Sequence, residues 1–193
     1  MKTPIKQAAA EVAECMPNLI TNPTGALNCY PVNVVAAVIL RDHYGHNLRH
    51  VIGSFGLATS DRPQDTMTFG PEMGIQIIQG GGGGFAGHYW LQAGNTIFDF
   101  AWKNMPLICE RDRDWQWTIP RRDVFVGNAY AKRRTVSLRT GQHTYKEWSQ
   151  SDQADAMRRF IKSDLNEYIS IGESLASNWG ERLDTWIGEQ KSA

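Results

Sequence analysis

The sequence has few cysteines, no long apolar run and no excess of either charge. Its 193 residues include three cysteines, and 20 Lys and Arg residues balance 20 Asp and Glu residues. An odd, small number of cysteines leaves at least one thiol free, and no CxxC pair is present to hold zinc. The charge balance argues against nucleic acid as a main partner. Hydrophobic residues make up 41% of the chain, which is a globular rather than a disordered composition.

The sequence also lacks segments that would direct it to a membrane. Its longest apolar run, Val34 to Leu40, is far shorter than the ~20 residues that span a bilayer. Lys6 and Glu11 interrupt the N-terminal segment, which therefore predicts an amphipathic helix rather than a signal peptide. We expect a cytoplasmic protein with no membrane partner, although export by a signal-independent secretion system stays open. The length predicts a single domain over residues 1–193.

Periodicity predicts an α+β fold. A buried helix is expected after Asn28, because Pro31 suits a first turn and the following residues are almost all apolar. From residue 47 onward, short aromatic and branched segments between glycines predict an antiparallel sheet. The expected strands are LRHVIGSFGLA, GIQII, HYWLQ, TIFDFAW, WQWTIP, DVFVGNAY and TVSLR, with a polar loop from Thr59 to Gly70. Helical spacing returns after Ser151.

One predicted hairpin brings a histidine close to an aspartate. A two-residue turn at Gly94 and Asn95 pairs Ala93 with Thr96 and fixes the register of both strands. In that register His88 and Asp99 lie diagonally on one sheet face, ~7 Å apart between Cα atoms, within reach of a hydrogen bond. An ordinary exposed His and Asp on a half-solvated sheet remains the alternative interpretation.

Cys29 stands where a helix can activate a thiol. It directly precedes the buried helix, where unpaired N–H groups and the positive end of the helix dipole stabilise a thiolate. The same N–H groups could receive the oxyanion of a tetrahedral intermediate. The alternative is a small buried hydrophobe, which is the interpretation that we adopt for Cys15 and Cys109.

Together these segments resemble the transglutaminase-like branch of the papain-like cysteine enzymes. The resemblance rests on NCYPVNVVAAVIL and GHYWLQAGNTIFDFAW and spans roughly residues 25 to 102. It implies a papain-like core, in which a nucleophile-bearing helix packs on an antiparallel sheet with flanking helices. It also implies a catalytic triad of Cys29 as nucleophile, His88 as acid and base, and Asp99 as the group that orients the imidazole.

Further residues are weaker candidates for binding the oxyanion or the substrate. Asn28 and Asn22 are near Cys29 in sequence, and Trp90 is near His88. Gly84 belongs to a run of five glycines that could be a plain flexible loop or a mobile segment beside the site. The loop from Thr59 to Gly84 is the expected substrate-facing wall.

No metal or cofactor is expected. His43, His46 and His50 have metal-like spacing, but Gly45 breaks the helix between them. The segment from Arg121 to Arg139 is locally basic, so it predicts either a solvated strand face or a binding surface for an acidic partner.

The predicted function is thiol-dependent acyl transfer on a protein or peptide substrate, most simply as a cysteine peptidase or amidase. The same triad would serve a glutamine deamidase or transglutaminase acting as a protein-modifying effector or toxin. A binding module that keeps the fold without the chemistry is the alternative from another class.

Overall fold

A computed structural model describes residues 2–16, 29–62, 66–69, 87–106, 116–128, 141–148 and 152–192. Helices α1 (Ile5–Cys15) and α2 (Cys29–Asp42) come first. Strands β1 (Arg49–Ala58), β2 (Thr66–Phe69), β3 (His88–Ala93) and β4 (Thr96–Asp99) follow, and a 3₁₀ helix (Phe100–Asn104) continues from β4. Strands β5 (Phe125–Asn128) and β6 (His143–Glu147) complete the sheet before helices α3 (Asp152–Ser177) and α4 (Trp179–Ser192). The antiparallel sheet with helices at both ends of the chain is an α+β architecture.

Helix α2 lies in the core, as its apolar sequence predicts. Every residue from Tyr30 to Leu40 is buried, and the helix packs against α1, α3 and β3. It ends at Asp42, and the N–H of Gly45, at φ 69°, returns to Arg41 O at 3.0 Å. Within the described part of the chain, no helix has both the length and the apolarity needed to cross a membrane.

Strand β1 is the centre of the sheet because three strands pair with it. Its first half, Arg49 to Gly53, pairs with β3, and its second half pairs with β2 and β6. Gly53 pairs with both His88 and Glu147, so β3 and β6 run along opposite edges of β1. Strands β4 and β5 extend the sheet beyond β3.

The predicted hairpin is confirmed in its turn and in its register. Leu91 pairs with Phe98, and Ala93 pairs with Thr96. Gly94 has a φ of 56°, a backbone conformation that favours glycine in such two-residue turns. Because side chains alternate across a strand, this register fixes which face carries His88.

Other expectations about the sheet were wrong. The described part of WQWTIP, residues 116–120, is not a strand, and Thr118 donates to Thr59 O through both its N–H and its hydroxyl. The expected polar loop after Thr59 contains strand β2, and the polar segment HTYKE forms β6. GIQII and TVSLR lie outside the described residues.

Gly53 allows the backbone of β6 and the ring of Trp90 to approach β1 closely. A Cβ at this position would lie 2.0 Å from Lys146 O and 2.6 Å from Trp90 Cη2. We expect Gly53→Ala to destabilise the fold by about 1–3 kcal/mol, because the strands must separate to admit the methyl group. Urea unfolding should show this as a lower midpoint with an unchanged slope.

Gly180→Ala is the matched control for that substitution. Nothing lies within 4 Å of a Cβ built at Gly180 in helix α4, so the added methyl group should stabilise the helix by about 0.4–1 kcal/mol. Equal midpoints for the two variants would show that the close approach at Gly53 has no energetic consequence.

Candidate active site

Cys29 is the first residue of α2 and carries a free, partly exposed thiol. The next residue, Tyr30, is buried and holds this end of the helix in place. Its ring contacts Tyr89 of β3 edge-on at 5.3 Å between centroids and Tyr168 of α3 at 5.5 Å. These contacts fix the N-terminus of α2 beside the strand that carries His88.

His88 and Asp99 form a buried pair on adjacent strands. His88 Nε2 lies 2.6 Å from Asp99 Oδ2, and the two residues are 1% and 0% exposed. The imidazole lies in an aromatic layer, with the ring centroids of Phe55 at 4.8 Å and Trp90 at 6.1 Å. The diagonal arrangement predicted from the hairpin register is therefore present.

The electrostatics of this pair favour a protonated imidazole. Burial by itself lowers the pKa of His88, but the charges of Asp99 and Cys29, together with the imidazole's hydrogen-bonding to them, outweigh burial and raise it to about 10. Since Nε2 is bonded to Asp99, Nδ1 is the ring nitrogen that remains for Cys29. The imidazole is thus bonded to the carboxylate, and the Cys29 thiol is among the groups that raise its pKa.

The Asp99 carboxylate is held in its ionised form by the surrounding donors. Oδ2 accepts from Tyr145 Oη at 2.8 Å in addition to His88, and Oδ1 accepts from Ala101 N at 3.0 Å. Asn33 Nδ2 lies 3.4 Å from Oδ1. Burial alone would raise the pKa of Asp99, but His88, Tyr145 and Asn33 lower it overall.

Tyr145 remains a hydrogen-bond donor to Asp99. Burial, followed by the charge and the hydrogen bond of Asp99, raises its pKa well above the ordinary tyrosine value. Its hydroxyl therefore keeps its proton near neutral pH, and this proton is shared with the carboxylate.

Asn33 and Tyr145 are the two members of this network that the sequence interpretation missed. Asn33 is the single polar residue in the apolar run VNVVAAVIL and lies one helical turn after Cys29. A lone amide on the face that bears a candidate nucleophile was a usable signal. Tyr145 gave none, because HTYKE has weak strand character and is distant in sequence from Asp99.

The structure describes some of the weaker candidates for oxyanion or substrate binding and not others. Trp90 is 1% exposed and packs against both His88 and Tyr145, so it supports the imidazole from a buried position. Asn28, Asn22 and Gly84 lie outside the described residues, as do Cys109 and much of the loop from Thr59 to Gly84. Cys15 packs against the core but is only partly buried, rather than buried as expected.

The histidines near Gly45 do not converge on a shared site. His46 Nε2 lies 2.8 Å from Thr3 O, whereas His50 Nδ1 is bonded to the hydroxyl of Tyr89. Among the residues that the structure describes, no group of three or more His, Cys, Asp or Glu side chains could hold a metal ion.

Only the start of the predicted basic segment can be placed. Arg121 and Arg122 are exposed, and Asp123 bonds to Lys103 at 3.0 Å. The cluster around Arg133 and Arg134 lies outside the described residues, and so does Arg139. Binding of an acidic partner by this segment stays a prediction.

A cavity of about 510 Å³ lies away from the reacting groups, between α2, α3 and the start of β1. Val38, Leu165 and Ile52 contribute to its apolar lining, and Tyr89 forms part of its wall. Its described lining contains none of Cys29, His88 and Asp99. The cavity is therefore separate from the candidate active site.

Comparison with known proteins gives a fold relationship and no more. No protein-family model matches the sequence, and no curated protein matches it. The chain is similar to the crystal structure of a structural-genomics target, with a TM-score of 0.56 and 18% sequence identity. The alignment covers 93% of this chain and 80% of that chain. At this level of identity the similarity shows a shared fold alone.

Proposed function

We propose that the protein is a thiol-dependent acyl-transfer enzyme that hydrolyses an amide bond through Cys29, His88 and Asp99. The observation that carries the proposal is the buried hydrogen bond between His88 and Asp99, together with the effect of the Cys29 thiol in raising the pKa of His88. A nucleophile, a base and a group that orients the base are the parts that covalent acyl transfer requires.

In the first half of this reaction the Cys29 thiolate attacks the carbonyl carbon of the amide. A C–S bond forms, the carbonyl oxygen becomes an oxyanion, and protonated His88 gives its Nδ1 proton to the departing amine as the C–N bond breaks. In the second half, His88 accepts a proton from a water molecule, which attacks the thioester. The C–S bond then breaks and returns the Cys29 thiolate and protonated His88. Asp99 keeps the imidazole oriented through both halves.

A papain-like or transglutaminase-like core belongs to the same proposal. It is supported by a helix that begins at the nucleophile and packs beside a sheet whose adjacent strands carry His88 and Asp99. The substrate would be a protein or peptide, and the reaction needs no cofactor.

Glutamine deamidation or transglutamination is the second candidate. The His88 side chain is only 2% exposed, and a base shielded from water favours a thioester that survives until an amine arrives. Transglutamination passes the acyl group to an amine, whereas peptide hydrolysis and glutamine deamidation pass it to water, and the three products differ in mass.

Cys29→Ala tests the proposal directly. We expect this variant to remain folded but to lose all acyl-enzyme formation and all conversion of a peptide library, because the nucleophile is gone. Intact-mass and peptide mass spectrometry would distinguish cleavage, loss of ammonia and crosslinking. Cys15→Ala is the matched control and should retain full activity, since Cys15 lies on α1.

A binding module that lacks the chemistry gives a different result. In that case the wild-type chain and Cys29→Ala would convert no substrate and would bind the same ligands equally.

A further inference from the structure

Asn33 is a fully buried amide that connects three elements of the candidate site. Its Nδ2 donates to Cys29 O at 2.7 Å and to Tyr89 O at 2.9 Å, and its Oδ1 accepts from Phe100 N at 3.1 Å. The side chain is 0% exposed. A single residue thus joins the first turn of α2 to β3 and to the start of the 3₁₀ helix after Asp99.

These bonds are directed at the backbone of the residues around the reacting groups. Cys29 is the candidate nucleophile, Tyr89 follows His88, and Phe100 follows Asp99. The NH₂ group of Asn33, which carries a partial positive charge, also lies 3.4 Å from Asp99 Oδ1. Without Asn33, two carbonyls and one N–H would lose a buried partner at the place where the helix meets both strands.

We propose that Asn33 is the positioning residue that sets the Cys29 helix relative to the His88 and Asp99 strands. This inference rests on the proposed function, because it assigns to Asn33 the alignment of the thiol with the imidazole. Such groups must hold their places to within about 0.5 Å to work together. An apolar side chain could fill the space, but it could not fix the helix against the two backbone segments.

Two variants separate positioning from packing. Asn33→Leu keeps the branched shape in a somewhat larger side chain and removes every side-chain hydrogen bond. Asn33→Asp keeps the shape, and its neutral carboxyl retains the acceptor for Phe100 N and one O–H donor. Once this carboxyl group is ionised, it has no donor left, and its negative charge faces Asp99, Cys29 O and Tyr89 O. Burial and the nearby Asp99 carboxylate should raise the pKa of the new carboxyl group.

The measurement is the rate of carbamidomethylation of Cys29 relative to Cys15 in the same molecule, as a function of pH. We expect Asn33→Leu to lower this ratio at least about tenfold against wild type at every pH, because the thiol loses its alignment with His88. Asn33→Asp should stay within about threefold of wild type near pH 5.5 and fall at least about tenfold near pH 9.

The titratable residues around position 33 are Cys29, Tyr89 and Asp99, which Asn33 contacts, and His88 and Tyr145, which are bonded to Asp99. Wild type carries all of these groups, so comparing each variant with wild type at the same pH corrects the labelling ratio for their titration. Cys15 also reports on folding, since it packs against the core and its labelling would accelerate on unfolding. Asn128→Asp, at an exposed position at the end of β5, is the control for the same chemical change.

Two results would overturn the inference. One is a labelling ratio that equals the wild-type ratio at all pH values in both Asn33 variants. The other is a labelling ratio that falls by the same factor in both variants at every pH. His88→Asn, measured alongside, keeps this failure distinct from that of the proposed function. If His88→Asn lowers the ratio and the Asn33 variants do not, only the role of Asn33 is lost. If His88→Asn also has no effect, the proposed function fails.

Discussion

Asp99→Asn is expected to lower the rate of acylation of Cys29 by about 10³–10⁴-fold, because the imidazole loses its correct tautomer. In the wild-type chain Asp99 Oδ2 accepts the His88 Nε2–H at 2.6 Å, and in the proposed reaction Nδ1 is the ring nitrogen that exchanges a proton with the thiol. Tyr145 and Ala101 donate to the carboxylate from other directions. When the amide oxygen of the Asn variant keeps the bond from Ala101 N, its NH₂ group takes the place of Oδ2, faces Nε2 and moves the imidazole proton to Nδ1.

Single-turnover release of p-nitrophenol from p-nitrophenyl acetate measures that acylation rate. Asp123→Asn is the control, because Asp123 is exposed and pairs only with Lys103 among the described contacts. Near-ultraviolet circular dichroism would establish that both variants are folded. An Asp99→Asn rate within about tenfold of wild type would contradict the proposed role of the carboxylate.

The second large expected effect is a pH-dependent loss of folding stability when Asp99 is removed from its pair with His88. Removing one partner of a buried ion pair costs about 3–5 kcal/mol, because the other partner stays buried without compensation. We therefore expect Asp99→Leu to lower the free energy of unfolding by that amount near neutral pH, as measured by urea unfolding followed through tryptophan fluorescence.

The direction of each pKa shift sets the pH window of this effect. Folding lowers the pKa of Asp99, so its contribution is complete above the unfolded value of about 4 and is lost as pH falls through the folded pKa. Folding raises the pKa of His88 to about 10, so its contribution is complete below about pH 6.5 and is lost as pH rises through about 10.

The difference between wild type and Asp99→Leu should accordingly be largest between about pH 4 and pH 6.5 and shrink on both sides. Asp123→Leu is the control and should change the free energy of unfolding by less than about 1 kcal/mol, as for other exposed pairs. A difference for Asp99→Leu that does not vary with pH would show that the pair is not ionised in the folded chain.

The parts of the site that the sequence predicts are those set by local pattern. The turn at Gly94 and Asn95, with a side-chain period of two, determines that His88 and Asp99 share a face. The apolar run after Cys29 likewise predicts a buried helix that begins near the thiol. Both inferences need only residues that are close together in the chain.

The parts that the sequence does not predict come from pairing over long separations. Tyr145 reaches Asp99 because β6 joins β1, whose residues are about ninety positions earlier, and HTYKE carries little strand signal. WQWTIP shows the reverse, since its aromatic residues suit a strand but the described part, residues 116–120, forms none. Tertiary contacts outweigh local propensity in both segments.

The labelling ratio of Cys29 to Cys15 in wild type and in His88→Asn tests the central claim most directly. Burial, together with Glu14 and Glu11, raises the pKa of Cys15, so this thiol is a slow internal reference. We predict that iodoacetamide labels Cys29 at least about tenfold faster than Cys15 near pH 7, and that His88→Asn removes this difference. Equal rates in wild type, or a ratio unchanged by the loss of His88, would contradict a thiol activated by the His88 and Asp99 pair.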